Sequence, residues 1–243
     1  NPTVFKNPQL KVTYDEDASD TSAGAGTLEV WAHIFDEKEV SPMGFLSAIE
    51  QYDYTCGADN SYETISLPED RSYRQILVRA YQAAYEPWYS IDEARFDEGT
   101  LDRIPWEFTD LEMYFRRMKS HWPLISYPFQ ALATAAGTIF YVPTTEYWGA
   151  FVGVQQSGGV VPYVNAGGAR GGKLTIYAAS TVQITGHIQG WLPWHCYQFP
   201  MGKQDDISDW YDPAGKKPRL RLRASTGATS STGQVVIEEL YKY

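Results

Sequence analysis

Cysteine is nearly missing from this chain: Cys56 and Cys196 are its only two among 243 residues. Two such distant residues cannot build a disulfide framework. One long-range bridge or two buried thiols are the readings left open. Histidine is almost as scarce. His33, His121, His187 and His195 make no HExxH or other close ligand pair. Each is therefore read as a packed or partly exposed side chain, not as a metal ligand. No stretch approaches the roughly 18 to 20 apolar residues of a membrane-spanning helix, and no secretory signal is legible in the opening residues. Cations are the minority, with 20 Lys and Arg against 30 Asp and Glu, a net charge of −10. A chain of that sign repels phosphate backbones, which argues against strong direct nucleic-acid binding. The densest basic run, 216–223, alternates Arg219, Arg221 and Arg223 with Leu220 and Leu222. That alternation reads as the solvated face of a strand.

Catalytic signatures are missing too. There is no CxxC, no GxSxG, no phosphate-binding loop and no strand-to-helix GxGxxG. The glycine pairs at 158–159, 167–168 and 171–172 read as turns. Carboxylates are plentiful, and glycoside hydrolysis needs two of them flanking one cleft. Glu107 and Asp110 flank a strand-to-helix turn, whereas Asp92, Glu93, Asp97 and Glu98 lie around another turn. Neither set lines one strand face. Asp205, Asp206, Asp209 and Asp212 are dense enough to suggest Ca²⁺, but their spacing is not that of an EF-hand. An acidic surface loop is the reading adopted. No catalytic residue, metal or cofactor is assigned, and the chain is expected not to be an enzyme.

What the chain does have is aromatic side chains: 18 Tyr, 10 Phe and 8 Trp, 15% of all residues. They suit an aromatic-rich β core, and Tyr and Trp also suit protein interfaces. Short runs of β formers alternate with turn chemistry. Strands are expected at 10–14, 27–35, 62–67, 73–82, in two segments around the turn 97–102, and at 138–142, 150–155, 160–164, 173–178, 181–188, 196–199, 220–223 and 235–241. Residues 41–57 read as irregular or partly helical. Thr109, with Glu112 three residues on, has capping-box spacing. It predicts one helix to about Ser120 with Leu111, Tyr114, Phe115 and Met118 on one face. No solenoid or propeller period is visible. The fold class expected is all-β sandwiches. The Pro-, Ala- and Gly-rich passage 123–137 suggests a boundary, giving domains 1–127 and 128–243.

Three stretches resemble those of double jelly-roll major capsid proteins from tailless icosahedral DNA viruses, including bacteriophages. They are ETISLPEDRSYRQILVRAYQ (63–82), IDEARFDEGTLDRIPWEFTDLEMYFRRM (91–118) and GHIQGWLPWHCYQFPMGKQDDISDWYDP (186–213), the last followed by LRLRAS and VVIEELYKY. The resemblance implies two jelly-roll β-sandwiches side by side, with 109–120 as a short helix between strands. It implies a structural protein of the virion whose homotrimers form pseudo-hexameric capsomers. Neighbouring capsomers, penton or minor capsid proteins and an internal membrane would be its partners. One elaborated single jelly roll is the alternative architecture. A virus spike or carbohydrate-binding module is the alternative function.

Shell proteins associate through aromatic anchors with polar rims. Trp106, Trp191, Trp194 and Trp210 lie near prolines or loops and are the candidate subunit-interface residues. Trp31 alternates with apolar neighbours and is expected in the core. The last strand carries Glu238, Glu239 and Lys242, which suits a charge-guarded sheet edge. Replacing the two glutamates with valine would then promote misassembly.

Overall fold

Strand pairing in the computed structural model follows one rule through most of the chain. Residues 9–12, 29–31, 43–99, 101–133, 138–154, 163–165, 172–177, 182–228 and 230–242 are described. The chain divides into two compact units, Asn1–Phe45 with Lys242–Tyr243, and Leu46–Tyr241. In the first, Trp31 is 86% exposed and not a core residue. The expected strands at 10–14 and 27–35 are described only at 10–12 and 29–31, which form no strand; the rest lies outside the described residues.

Five strands come first: β1 (Gly44–Thr55), β2 (Tyr62–Ser66), β3 (Tyr73–Tyr81), β4 (Ile91–Glu98) and β5 (Arg103–Phe108). The helix α1 (Leu111–Met118) follows. Next are β6 (Leu124–Ala133), β7 (Thr138–Tyr141), β8 (Thr145–Val154), β9 (Tyr163–Asn165), β10 (Lys173–Tyr177) and β11 (Val182–Trp191). The chain closes with β12 (Cys196–Pro200), β13 (Arg219–Ala224) and β14 (Thr232–Lys242). Among the described residues this is an all-β fold with one short α-helix.

Two four-stranded sheets run β1-β14-β3-β12 and β2-β13-β4-β5. Counting these eight strands in chain order, first pairs with last, second with seventh, third with sixth and fourth with fifth. Alternate pairs lie in alternate sheets. A long antiparallel hairpin rolled into a sandwich gives this order, which is that of a jelly roll. The remaining strands form two three-stranded sheets, β6-β11-β8 and β7-β10-β9. Among the described residues they repeat the same order without its fifth and sixth strands.

The second set is therefore inserted between the fifth and sixth strands of the first. The boundary expected at 127/128 does not follow the sheets. β12, β13 and β14 pair with strands from before residue 100, and 124–191 forms the insertion. The physical reason is that rolling a hairpin joins strands remote in sequence, so a composition change marks a connection and not a domain end.

The eight-stranded roll is held by alternation. β13 and β14 bury every second residue over most of their length. Ile76, Val78, Tyr197, Phe199, Val235 and Ile237 from one sheet meet Ile65, Ala94, Phe96, Leu220 and Leu222 from the other in one apolar cluster. Each buried Val, Ile, Leu or Phe among them contributes about 1.5–3 kcal/mol before ordering costs. The outward arginines of β13 are paired. Arg219 bonds Asp97 at 2.6 Å, Arg223 bonds Asp92 at 2.9 Å and Glu93 at 2.8 Å, and Arg221 lies over the Tyr62 ring at 3.6 Å. The basic run is thus a half-buried ion-pair ladder rather than a freely solvated face.

Several expectations change. Residues 44–55 form a strand, an edge one among the described residues, and not an irregular segment. Residues 124–133 form β6, another edge strand among the described residues. Its Pro128 is tolerated because an edge strand can spare a ladder donor. Edge strands β5 and β12 likewise carry Pro105 and Pro200. The helix is capped by Asp110, whose carboxylate accepts from the Met113 N–H at 2.8 Å, and not by Thr109. Its expected face holds: Leu111 and Phe115 are buried and Tyr114 packs against the core. The last strand is not an edge, because β14 lies between β1 and β3. Cys56 and Cys196 are both free thiols.

Candidate functional site

Among the described residues β5 and β12 are each an edge strand of facing sheets, and the roll is open between them. The helix α1, which follows β5 directly, borders that opening. The result is a groove of about 600 Å³ lined by Trp106, Phe108, Met113, Tyr114, Arg117 and Phe199, among others. Its floor is a continuous aromatic stack. Phe96 stacks on Trp106 at 5.5 Å between centroids, and Trp106 on Phe199 at 4.8 Å with 13° between planes. Phe108 meets Tyr114 at 4.3 Å. Tyr114 is fixed by its hydroxyl, which donates to the Gln198 carbonyl at 2.5 Å. Burial pushes that phenol upward from its ordinary pKa. Glu107, Asp110 and Arg117 supply polar groups around the groove. This is an apolar surface with a charged rim.

The four tryptophans singled out in the sequence occupy different places. Trp106 is part of the groove. Trp191, the last residue of β11, lies under the Lys119 ammonium at 4.3 Å. Trp194 meets Tyr81 at 5.4 Å and His195 at 4.5 Å. Trp210 is only 8% exposed and donates its indole N–H to the Lys203 carbonyl at 2.8 Å. It closes the acidic loop from inside. Among the described residues no ring contact joins any two of the four.

Three of the four carboxylates of that acidic loop accept hydrogen bonds from the loop itself. Asp206 accepts from the Ser208 N–H at 3.0 Å, Asp209 from the Lys203 N–H at 2.8 Å and Asp212 from the Ala214 N–H at 3.2 Å. Among the described residues no group of three or more His, Cys, Asp or Glu could hold a metal ion. Among the histidines, His33 lies outside the described residues, His121 is exposed and His187 contacts Ser126. His195 is buried, and burial together with Arg79 lowers its pKa to about 4.

A second cluster escapes sequence reasoning. Glu86, only 6% exposed, sits between β3 and β4 in the eight-stranded roll. Its carboxylate accepts the backbone N–H of Glu146 at 3.1 Å and that of Gly172. Both donors belong to the inserted segment. Burial raises the Glu86 pKa to about 7 against the pull of those two hydrogen bonds. Glu146 in turn takes Lys119 at 2.5 Å and Arg116 at 3.3 Å. The one available sequence signal was that Glu86 is the only charge in the aromatic run AAYEPWYS (83–90).

Comparison with solved structures finds the major capsid protein P2 of bacteriophage PM2. The likeness has a TM-score of 0.26 and 10% sequence identity, and covers 82% of this chain and 98% of that one. No family model matches the chain. No curated protein matches it.

Proposed function

We propose that this chain is a structural subunit of a virus shell, a major capsid protein that assembles through its surfaces and catalyses nothing. The observation that carries the proposal is the strand order: a complete jelly roll with a second, shorter copy of the same order inserted in it. Jelly rolls serve capsids, lectins and cupins, and fold alone does not choose among them. Two features favour the shell. The interior of the eight-stranded roll is filled with apolar side chains. The exposed side chains include Leu101, Ile104 and Met113, which lie on or beside β5 and α1 and suit lateral contact. Two rolls per copy and three copies per capsomer give six rolls, enough for a homotrimer to fill a pseudo-hexameric site of an icosahedral virion. Neighbouring capsomers would be its partners, with penton or minor capsid proteins and an internal membrane beyond them.

Electron microscopy of the concentrated protein tests this reading. Six-sided particles with threefold symmetry, or closed shells, are expected. A field of uniformly single-copy particles would contradict it. The aromatic groove favours a second reading, a carbohydrate-binding module or virus spike, because aromatic rings stack on sugars. Thermal melting against a panel of oligosaccharides separates the two: the shell subunit is expected to show no shift, and the module a sugar-dependent rise.

A further inference from the structure

The carboxyl of Glu86 joins two parts of the fold that no sheet joins. Its own segment belongs to the eight-stranded roll, and both its hydrogen-bond donors belong to the inserted strands. The donors are held in unusual backbone geometry. Glu146 has φ of 48° and Gly172 has φ of 64°. Residues other than glycine rarely adopt such φ values, and Glu146 does so where its N–H meets Glu86. At Gly172 a Cβ would come within 2.9 Å of the Tyr85 backbone. The two segments thus approach as closely as a glycine permits, with a buried carboxyl at the contact.

We propose that Glu86 is a proton-operated latch that secures the inserted strands to the eight-stranded roll when protonated and loosens them when it ionises. A buried carboxylate lacking a cationic partner of its own is costly. The cations of the junction are engaged elsewhere: Arg116 by Glu112 at 2.7 Å and by Glu146, and Lys119 by Glu146. Glu146 and Glu112 both add negative potential at Glu86. Tyr197 from β12 also feels the Glu86 charge, and Tyr85 and Tyr89 flank Glu86 on its own segment. Among the described residues His195 also lies near the contact: its backbone N–H donates to Thr145 Oγ1 at 2.9 Å, beside Glu146.

The signs of the two groups are opposite. The folded pKa of Glu86 is raised from 4.5 to about 7, so its contribution is full below 4.5 and is lost as pH rises through 7. The folded pKa of His195 is lowered from 6.5 to about 4, so its contribution is present above 6.5 and is lost as pH falls through 4. The two trends oppose each other in the wild-type chain. A comparison of wild type with Glu86→Gln isolates the latch. The amide keeps an oxygen for the Glu146 N–H and cannot ionise.

The experiment is hydrogen exchange of the Glu146 and Gly172 amides in both proteins, corrected for intrinsic exchange, at pH 5 and pH 8. The opening constant of wild type relative to Glu86→Gln should rise on the order of 50-fold between the two pH values. An unchanged ratio would overturn the latch. A second measurement needs no variant. The assigned ¹³C resonance of the Glu86 carboxyl in wild type should titrate near pH 7, and a midpoint near 4.5 would equally overturn it. Neither result depends on whether the chain forms shells.

Discussion

Single side chains in this protein divide into those whose burial is legible in sequence and those whose charge is not. Phe96 and Phe199 sit in alternating strands and are fully buried in the aromatic stack. Truncating Phe96 to alanine should cost about 3–5 kcal/mol in a urea melt. Asp97 is different. It lies beside a turn in sequence, where an exposed carboxylate is the natural reading. The structure leaves its side chain 1% exposed against Arg219 at 2.6 Å and Arg95 at 3.5 Å. Asp97→Ala should cost about 3–5 kcal/mol, because it strands the half-buried Arg219 guanidinium and leaves Arg95 only Glu107 at 3.8 Å. Arg219→Lys should recover little of a comparable loss, since Arg219 reaches Asp97 through both Nε and Nη2. Ordinary two-state stability after either change would contradict this account of the ladder. Residue identity gave the charges, but the main partner of Asp97, Arg219, sits on a strand more than a hundred positions away.

Elements were read best where local chemistry decides them. The hairpin of β4 and β5 and the face of α1 follow from alternation and 3.6-residue spacing. The cap was misplaced by one residue, because Thr109 and Asp110 both suit the position. Asp110→Ala should lower stability by about 1 kcal/mol, and Thr109→Ala by less, in thermal melts of the same preparation. Strands β1 and β6 were missed because an edge strand need bury only one side and tolerates the polar residues and proline that argue against strand. The opposite error occurred at β14, where outward glutamates imitated a guarded edge. Glu238 accepts from Arg74 and Gln75, both at 2.7 Å. Glu239 is buried, meets Arg71 at 3.5 Å and leaves one oxygen unpartnered. Glu238→Val should therefore cost about 1–3 kcal/mol through its abandoned donors. Glu239→Val should be neutral or stabilising at neutral pH, because Arg71 keeps Asp70 at 2.7 Å. Neither variant should aggregate through β14. High-mass species in light scattering from either one would restore the edge reading.

At the scale of the whole molecule, the sequence announced β-sandwiches and one helix, but not which strands share a sheet. Pairing first strand with last is a property of the rolled hairpin, with no local residue code. The inserted strands hid for the same reason, since 124–191 looks locally like more of the same. The groove was partly legible, through Trp106. Phe199, which completes its floor, comes from a strand on the far side of the insertion. The central claim is that such a molecule works by associating with copies of itself. The most direct test is its mass by size-exclusion chromatography with light scattering across a dilution series. The account predicts a stable species near three times 27.4 kDa, or larger shell-like particles. A mass of 27.4 kDa at every concentration would contradict it.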